Sequence, residues 1–155
     1  MVTAINFDGE QGDNNRPLGI DIATREFIRA FFRFSVQKTF PCVCPNEISL
    51  TQFKHYAEME QINPETCFGV NQNDPVQLEK AGQLFRYDPN ILKHVWSRRQ
   101  LGQRRYSITG LMHTSATDSA MEIIGQYLMA PTQSWDALIC PSNSIKSATS
   151  NIIDH

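Results

Sequence analysis

No apolar run in this sequence approaches the length of a membrane span, which takes roughly 20 residues. The N-terminal stretch MVTAINFDGEQGDNN also lacks the basic start and the long apolar segment of a secretory signal. An excess of charge is missing too: the formal net charge is −2, which gives no reason to expect nucleic acid as a partner. From these absences we predict a cytoplasmic protein that neither spans a membrane nor binds nucleic acid.

Cysteine is scarce, and its arrangement does not predict a metal centre. The four cysteines, Cys42, Cys44, Cys67 and Cys140, each lie in an apolar, strand-like segment. Cys42 and Cys44 share one face of a predicted strand, but no cluster of Cys or His at ligand spacing completes a metal site around them. We therefore predict reduced thiols packed as small apolar side chains, with no metal or other cofactor.

What is present is enough chain for one domain: 155 residues, of which 41% are hydrophobic and 19% charged. Apolar strand-like segments alternate with helical ones. The predicted strands are VTAINF, FPCVCP, TCFGV, QLFRY, YSITGLMH and DALICP; the predicted helices are 20–34, 49–59 with Ser49 as N-cap, 75–82, 90–100, Ser115 to Ala130, and a last one from Asn143. This alternation predicts a Rossmann-like, doubly wound α/β fold with a mostly parallel sheet and helices on both faces. The last helix lacks a stop signal, so we expect the single domain at 1–155 to be incomplete at its C-terminus.

Three loops with polar residues follow predicted strands, at the sheet edge where open α/β proteins bind ligands. They are 8–19, 112–118 and 141–144. The first is rich in glycine, but it matches neither G-x-G-x-x-G nor the phosphate loop of ATPases. Gly19, at its end, lets an anion approach the free N–H groups of the next helix. A plain surface turn is the favoured interpretation of its spacing alone.

His113 closes an apolar segment directly before a Ser/Thr/Asp cluster. Ser115 and Asp118 match the S-x-x-[DE] capping box, which predicts that a helix starts there. His113 then lies just outside a positive helix terminus, which favours a neutral ring that accepts a hydrogen bond from a hydroxyl group. Such a histidine suits recognition of a sugar or polyol, although a lone histidine is more often structural.

Other candidates are weaker. Arg25, Arg29 and Arg33 form a row that suits phosphate but also suits a solvated helix face. The arginines of SRRQLGQRR, at 97–105, suit phosphate, lipid headgroups or RNA, and a solvated loop explains them equally well. His55 and His94 lie on predicted helices without evident partners, and neither a Ser-His-Asp set nor a pair of acidic residues arranged for hydrolysis is evident.

Taken together, these segments resemble the N-terminal half of a family 4 glycosyltransferase, an enzyme of GT-B architecture that uses a nucleotide sugar. The resemblance is closest in SITGLMHT, MEIIGQYLMAPTQ and SWDALICPS. LGIDIATREFIRAFFR is similar to the glycine-then-helix segment that follows the first strand in that family. Between Thr39 and Gln100 only the alternation of strands and helices is similar.

The resemblance implies transfer of a sugar, with retention of configuration and without an obligatory metal, from a nucleotide-sugar donor to a sugar or lipid-linked acceptor. Peripheral membrane contact is compatible with such an acceptor. By this resemblance the chain would be the acceptor-side domain of such an enzyme. The enzyme's C-terminal, donor-binding domain is absent from this sequence. The resemblance implies a catalytic role for His113 in the cleft, contact of Gly19 with the donor phosphates, and substrate binding by Thr114 and Ser142.

One feature of that family has no counterpart here. Its donor domain carries two glutamates with seven residues between them, and no two glutamates of this chain have that spacing. Because stabilisation of the leaving diphosphate is a large part of catalysis, we expect the isolated chain to be inactive. The alternatives are a non-catalytic, stand-alone binding or interaction module and a small nucleotide-binding α/β domain, for example a flavodoxin-like one.

Overall fold

A computed structural model describes residues 2–10, 19–71, 74–113 and 117–154. The strands are β1 (Val2–Asn6), β2 (Phe40–Val43), β3 (Cys67–Val70), β4 (Gly82–Arg86), β5 (Ser107–Leu111) and β6 (Ala137–Ile139). The helices are α1 (Gly19–Phe34), α2 (Glu47–Met59), α3 (Pro75–Ala81), α4 (Leu92–Leu101), α5 (Asp118–Gln126) and α6 (Asn143–Asp154). A single 3-10 turn, Pro64–Thr66, precedes β3.

The strands form one six-stranded sheet in the order β3-β2-β1-β4-β5-β6, and each pairing is parallel. This confirms the predicted doubly wound α/β fold. The order is that of Rossmann-like sheets and differs from the flavodoxin-like order 2-1-3-4-5. Because the strands are parallel, their C-terminal ends share one edge, the carboxyl edge, and their N-terminal ends share the opposite amino edge.

Alternating strand residues divide the core between the two sheet faces. Ile5 and Phe85 pack in a cluster with residues of α1 and α2, whereas Ala4 and Leu84 pack in a second cluster with residues of α3 and α4. The first cluster is aromatic, and its fully buried Phe32 lies 4.9 Å, between ring centroids, from both Phe40 and Phe53. A third cluster joins Met112 of the β5 end to α5 and α6. Both sheet faces are thus covered by helices, as predicted.

Two predicted helix starts are wrong. The N-cap of α2 is Asn46, whose side-chain oxygen accepts a hydrogen bond from the N–H of Ser49 at 2.9 Å. Asn46 is therefore the capping residue and Ser49 the donor. At α5 the N-cap is Thr117, whose hydroxyl accepts from the N–H of Ala120 at 3.2 Å. Asp118 is the first helical residue, so it does not complete a capping box with Ser115, which lies outside the described residues.

The C-terminal end of α5 also differs from its prediction. The helix ends at Gln126 rather than Ala130, and hydrogen-bonded turns cover the residues between them. Pro131 lacks an N–H and disfavours helical backbone at the residue before it, so no helix continues past Ala130.

A buried ion pair fixes the entry to β6. Arg98 of α4 is fully buried, and its two terminal nitrogens each donate to an oxygen of Asp136 at 2.5 Å. Arg98 also donates to the carbonyl of Tyr106, and Asp136 accepts from the N–H groups of Ile108 and Gln133. The helix predicted at 90–100 is confirmed as α4, which contains the first arginines of the 97–105 segment, so a solvated loop does not describe that part of the segment.

The arginine row of α1 is not a freely solvated face. Arg29 Nε and Arg33 Nη2 each lie 2.7 Å from a carboxylate oxygen of Glu60, which follows the last turn of α2. Arg25 lies 3.8 Å from Glu10 and 3.6 Å from Glu26. The row therefore joins α1 to α2 and to the segment after β1.

The cysteines are free, with Cys42 and Cys67 buried and Cys44 and Cys140 half-buried. Burial raises the pKa of Cys67 to about 11, so its thiol is protonated at neutral pH. Across the described ranges, no helix combines the length and the apolar character that crossing a bilayer requires.

Candidate functional site

The carboxyl edge gathers polar side chains from β1 and β4. Asn6 pairs in register with Arg86, so the two strands end side by side. The Arg86 guanidinium donates from Nε to Asp88 at 2.7 Å and from Nη2 to Asp8 at 3.1 Å, and Nη1 donates to the side-chain oxygen of Asn6. We call Asn6, Asp8, Arg86 and Asp88 the Arg86 cluster.

The Arg86 cluster is accessible on its acidic side. The side chain of Asp8 is 35% exposed, against 17% for Arg86 and 19% for Asp88. Burial tends to lower the pKa of Arg86, but the carboxylates of Asp88 and Asp8 outweigh it and raise the pKa. With two carboxylates around one cation, the cluster has lone pairs left to accept hydrogen bonds from a polar ligand.

His94 lies beneath this cluster and has a partner, contrary to the sequence prediction. It is buried, and its Nε2 is 3.4 Å from the side-chain oxygen of Asn6. Burial, followed by the charges of Arg86 and Lys93, lowers the pKa of His94 to about 4. The ring is therefore neutral at physiological pH and acts as a support for Asn6.

His113 lies at the end of β5, beside the end of β4. Its Nε2 forms a hydrogen bond with the backbone carbonyl of Tyr87, the residue between Arg86 and Asp88. A carbonyl only accepts, so Nε2 carries the proton, and in the neutral ring Nδ1 is left as an acceptor. His113 thus joins two strand ends, and among the described residues Nδ1 has no hydrogen-bond partner.

The other predicted site residues are joined less closely to this cluster. Gly19 begins α1, and a Cβ there would meet no atom of the described residues within 4 Å, so these neighbours do not require glycine. Asp21 already places a carboxylate in the first turn of α1, where a phosphate would bind. Ser142 caps α6: its hydroxyl oxygen accepts from the N–H of Ile145 at 3.2 Å. Thr114 lies outside the described residues.

A groove between α1 and α2 continues from the cluster. It encloses about 630 Å³ and is lined by Glu10, Arg25, Glu26, Arg29, Thr51, Gln52, His55, Tyr56 and Met59. The Tyr56 hydroxyl donates to Glu10, and the N–H of Glu10 donates to Gln52 at 3.3 Å. Carboxylate, amide, guanidinium and phenol groups therefore line the groove together with apolar surface, to which Met59 and the Tyr56 ring belong.

Gly9 makes the connection between cluster and groove possible. Its φ of +89° is in the left-handed region, and a Cβ there would lie 2.8 Å from the hydroxyl oxygen of Ser49. That same hydroxyl donates to the carbonyl of Asp8 at 3.2 Å. The chain thus turns tightly against the start of α2, which places Asp8 at the cluster and Glu10 in the groove.

Among the described residues, no three His, Cys, Asp or Glu side chains are grouped so that they could hold a metal ion. Comparison with protein families, with curated proteins and with solved structures finds no match to this chain. The fold and the site together define an α/β protein with a Rossmann-like, doubly wound sheet and a polar site at its carboxyl edge.

Proposed function

We propose that this chain is the acceptor-side domain of a retaining, nucleotide-sugar-dependent glycosyltransferase. The observation that carries the proposal is His113, with Nε2 hydrogen-bonded to Tyr87 and Nδ1 left as an acceptor beside the Arg86 cluster. An acceptor nitrogen, a partly exposed carboxylate and a guanidinium together match the donors and acceptors of a sugar hydroxyl. The sequence resemblance points to the same histidine.

In the proposed reaction an acceptor hydroxyl oxygen forms the new bond to the anomeric carbon, while the bond from that carbon to the diphosphate breaks. The proton of the hydroxyl group passes to the leaving diphosphate. Nδ1 of His113 and the Asp8 carboxylate bind and orient sugar hydroxyls, a contribution to positioning. Stabilisation of the leaving diphosphate falls to a donor-binding domain, whose paired glutamates have no counterpart here. This chain alone therefore binds a saccharide without transferring it.

The groove between α1 and α2 supports the proposal as a place for the rest of the acceptor. Its volume, about 630 Å³, lies within the usual range of small-ligand sites. Gln52 and Glu10 offer polar contacts to hydroxyls, and the Tyr56 ring offers an apolar face to a sugar.

A nucleotide-binding domain remains the second candidate, because the strand order is one that binds dinucleotides. The first loop lacks the glycine fingerprint of such domains. Tight binding of a flavin or dinucleotide by the chain would favour this candidate over the first.

Ligand-observed NMR with a panel of monosaccharides, disaccharides and nucleotide sugars tests the proposal. We expect at least one saccharide to bind, and His113→Ala to weaken its binding by about tenfold, the effect of losing one hydrogen bond. Gln126→Ala is the matched control, since its side chain is exposed, lies outside both the cluster and the groove, and pairs only weakly with Glu122 at 3.4 Å.

The control variant should bind as the unaltered chain does, and both variants should melt cooperatively. A chain that binds no saccharide, or whose saccharide binding is unchanged by His113→Ala, would contradict the proposal.

A further inference from the structure

The amino edge carries an apolar surface that the proposed function does not use. Here α1 to α5 end and the chain returns to the next strand. Phe34, the last residue of α1, and Val36, between α1 and β2, are 77% and 99% exposed. Between α5 and β6, Leu128, Met129 and Trp135 are 62%, 85% and 40% exposed. Single exposed apolar residues are ordinary on a protein surface. These five lie on the same edge of the sheet, which indicates contact with a membrane or another protein.

Exposed cations lie on the same edge. They are Lys38, Lys80, Arg99 and Arg104. Within the part of the chain that the structure describes, none of the four forms an ion pair with a carboxylate. Their charge is therefore available to an outside partner.

Three carboxylates of this edge are engaged by arginines, whereas Glu58 and Glu65 are exposed and pair with no Arg or Lys of the described residues. Glu60 binds Arg33 and Arg29, and Glu79 binds Arg105 at 2.7 Å. Asp136 is held by the buried Arg98. The amino edge is thus positive although the whole chain has a net charge of −2.

Helix dipoles explain only part of this arrangement. Cations are favoured at helix C-termini, which accounts for Lys80 and Arg99 in the last turns of their helices. Lys38 and Arg104 lie in loops beyond the helices, and a dipole gives no reason to expose Phe34 or Val36. A second cause is therefore needed for the combination of cations with protruding apolar side chains.

We propose that the amino edge docks on an anionic phospholipid bilayer. Phe34, Val36 and Met129 enter the boundary between headgroups and acyl chains, while the cations attract the anionic headgroups. The guanidinium of Arg99 lies 5.5 Å from the ring centroid of Trp96, and tryptophan is enriched at this depth of a bilayer. A bilayer receives separate protruding side chains without complementary pockets, whereas a protein partner needs a pocket for each.

This orientation turns the carboxyl edge, with the Arg86 cluster and His113, away from the bilayer. The docking proposal is therefore independent of the proposed glycosyltransferase function. Either one can fail without the other.

Co-sedimentation of the full chain with vesicles tests the docking. We expect binding to mixed phosphatidylcholine–phosphatidylglycerol vesicles and much weaker binding to pure phosphatidylcholine, with a strong decrease at high salt. Phe34→Ser combined with Val36→Ser should lower the partition coefficient by more than about tenfold. Lys38→Glu should lower it by at least about fivefold.

Matched controls come from the carboxyl edge. Ile48→Ser replaces a residue that is 72% exposed in the first turn of α2, and Lys146→Glu reverses an exposed charge in the first turn of α6. Both should bind vesicles as the unaltered chain does. All these positions are exposed, and thermal melting verifies that each variant is folded.

Two results would overturn the docking proposal: no binding to the anionic vesicles, or binding that the amino-edge variants leave unchanged. Retention on an acidic polypeptide such as polyglutamate, without vesicle binding, would also overturn it and would mark the edge as a protein-docking surface.

Discussion

At the scale of single residues, the candidate site depends on pairs of side chains that come from distant parts of the sequence. Arg86 contacts Asp8 across 78 positions, and His94 approaches Asn6 across 88. Sequence reasoning identified His113 because it follows a strand and precedes a polar cluster. Arg86 and Asp88 follow a strand in the same way, and the rule applied to His113 would have selected them too.

His94 makes the stability of the fold depend on pH. The pKa of His94 in the folded chain, about 4, lies below its ordinary value of 6.5. Between these two pH values the unfolded chain therefore binds a proton at His94 and the folded chain does not. The stability that the neutral ring contributes is present above about pH 6.5 and is lost as the pH falls towards 4. The full difference is about 3 kcal/mol.

We expect His94→Gln, which keeps an N–H donor for Asn6, to flatten this dependence. Urea unfolding at a series of pH values between neutral and about 4 measures it for the variant and the unaltered chain. His55→Gln should keep the original slope, since its side chain is exposed. Equal slopes for all three proteins would show that His94 is not the group that titrates.

At the scale of helices and strands, the sequence predicted which elements exist and their order along the chain. It did not predict where the helices begin and end. Each predicted strand is present because short apolar runs between turn residues fit a buried parallel strand. The starts of α2 and α5 were misplaced because Asn, Ser and Thr are all competent N-caps. Where several lie close together, tertiary contacts such as that of Ser49 with Asp8 decide among them.

The Arg98–Asp136 pair could not be predicted, because Arg98 is one of several arginines near the end of a predicted helix and its partner is 38 positions away. We expect Asp136→Ala to lower the free energy of unfolding by about 3–5 kcal/mol, since it leaves a buried guanidinium without a counter-ion. The same change also deprives the N–H groups of Ile108 and Gln133 of their acceptor.

Glu79→Ala is the control for this prediction. It breaks the Arg105–Glu79 pair, whose side chains are 49% and 40% exposed, and should cost less than about 1 kcal/mol. Chemical denaturation of both variants gives the comparison. Similar losses for the two would refute the assignment of Arg98–Asp136 as the pair that holds α4, β5 and β6 together.

At the scale of the whole molecule, the parallel sheet separates two kinds of surface. The carboxyl edge carries the Arg86 cluster and His113, and the amino edge carries Phe34, Val36 and cations that pair with no carboxylate of the described residues. The net charge of the sequence concealed this separation, because a sum over the chain does not record where each charge lies. The fold class can be predicted from the pattern of apolar residues along the chain. The placement of the two surfaces at opposite edges depends on the topology of the sheet.

The central claim, that the carboxyl edge binds a saccharide, is tested most directly by mapping the bound ligand. Two-dimensional 15N–1H NMR spectra of the labelled chain during titration with the best-binding saccharide locate the contact residue by residue. We predict shifts in the amide signals of residues 7–10, 86–88 and 111–113, with residues 34–38 unchanged. Shifts confined to other parts of the chain, or none at any saccharide concentration, would contradict the account.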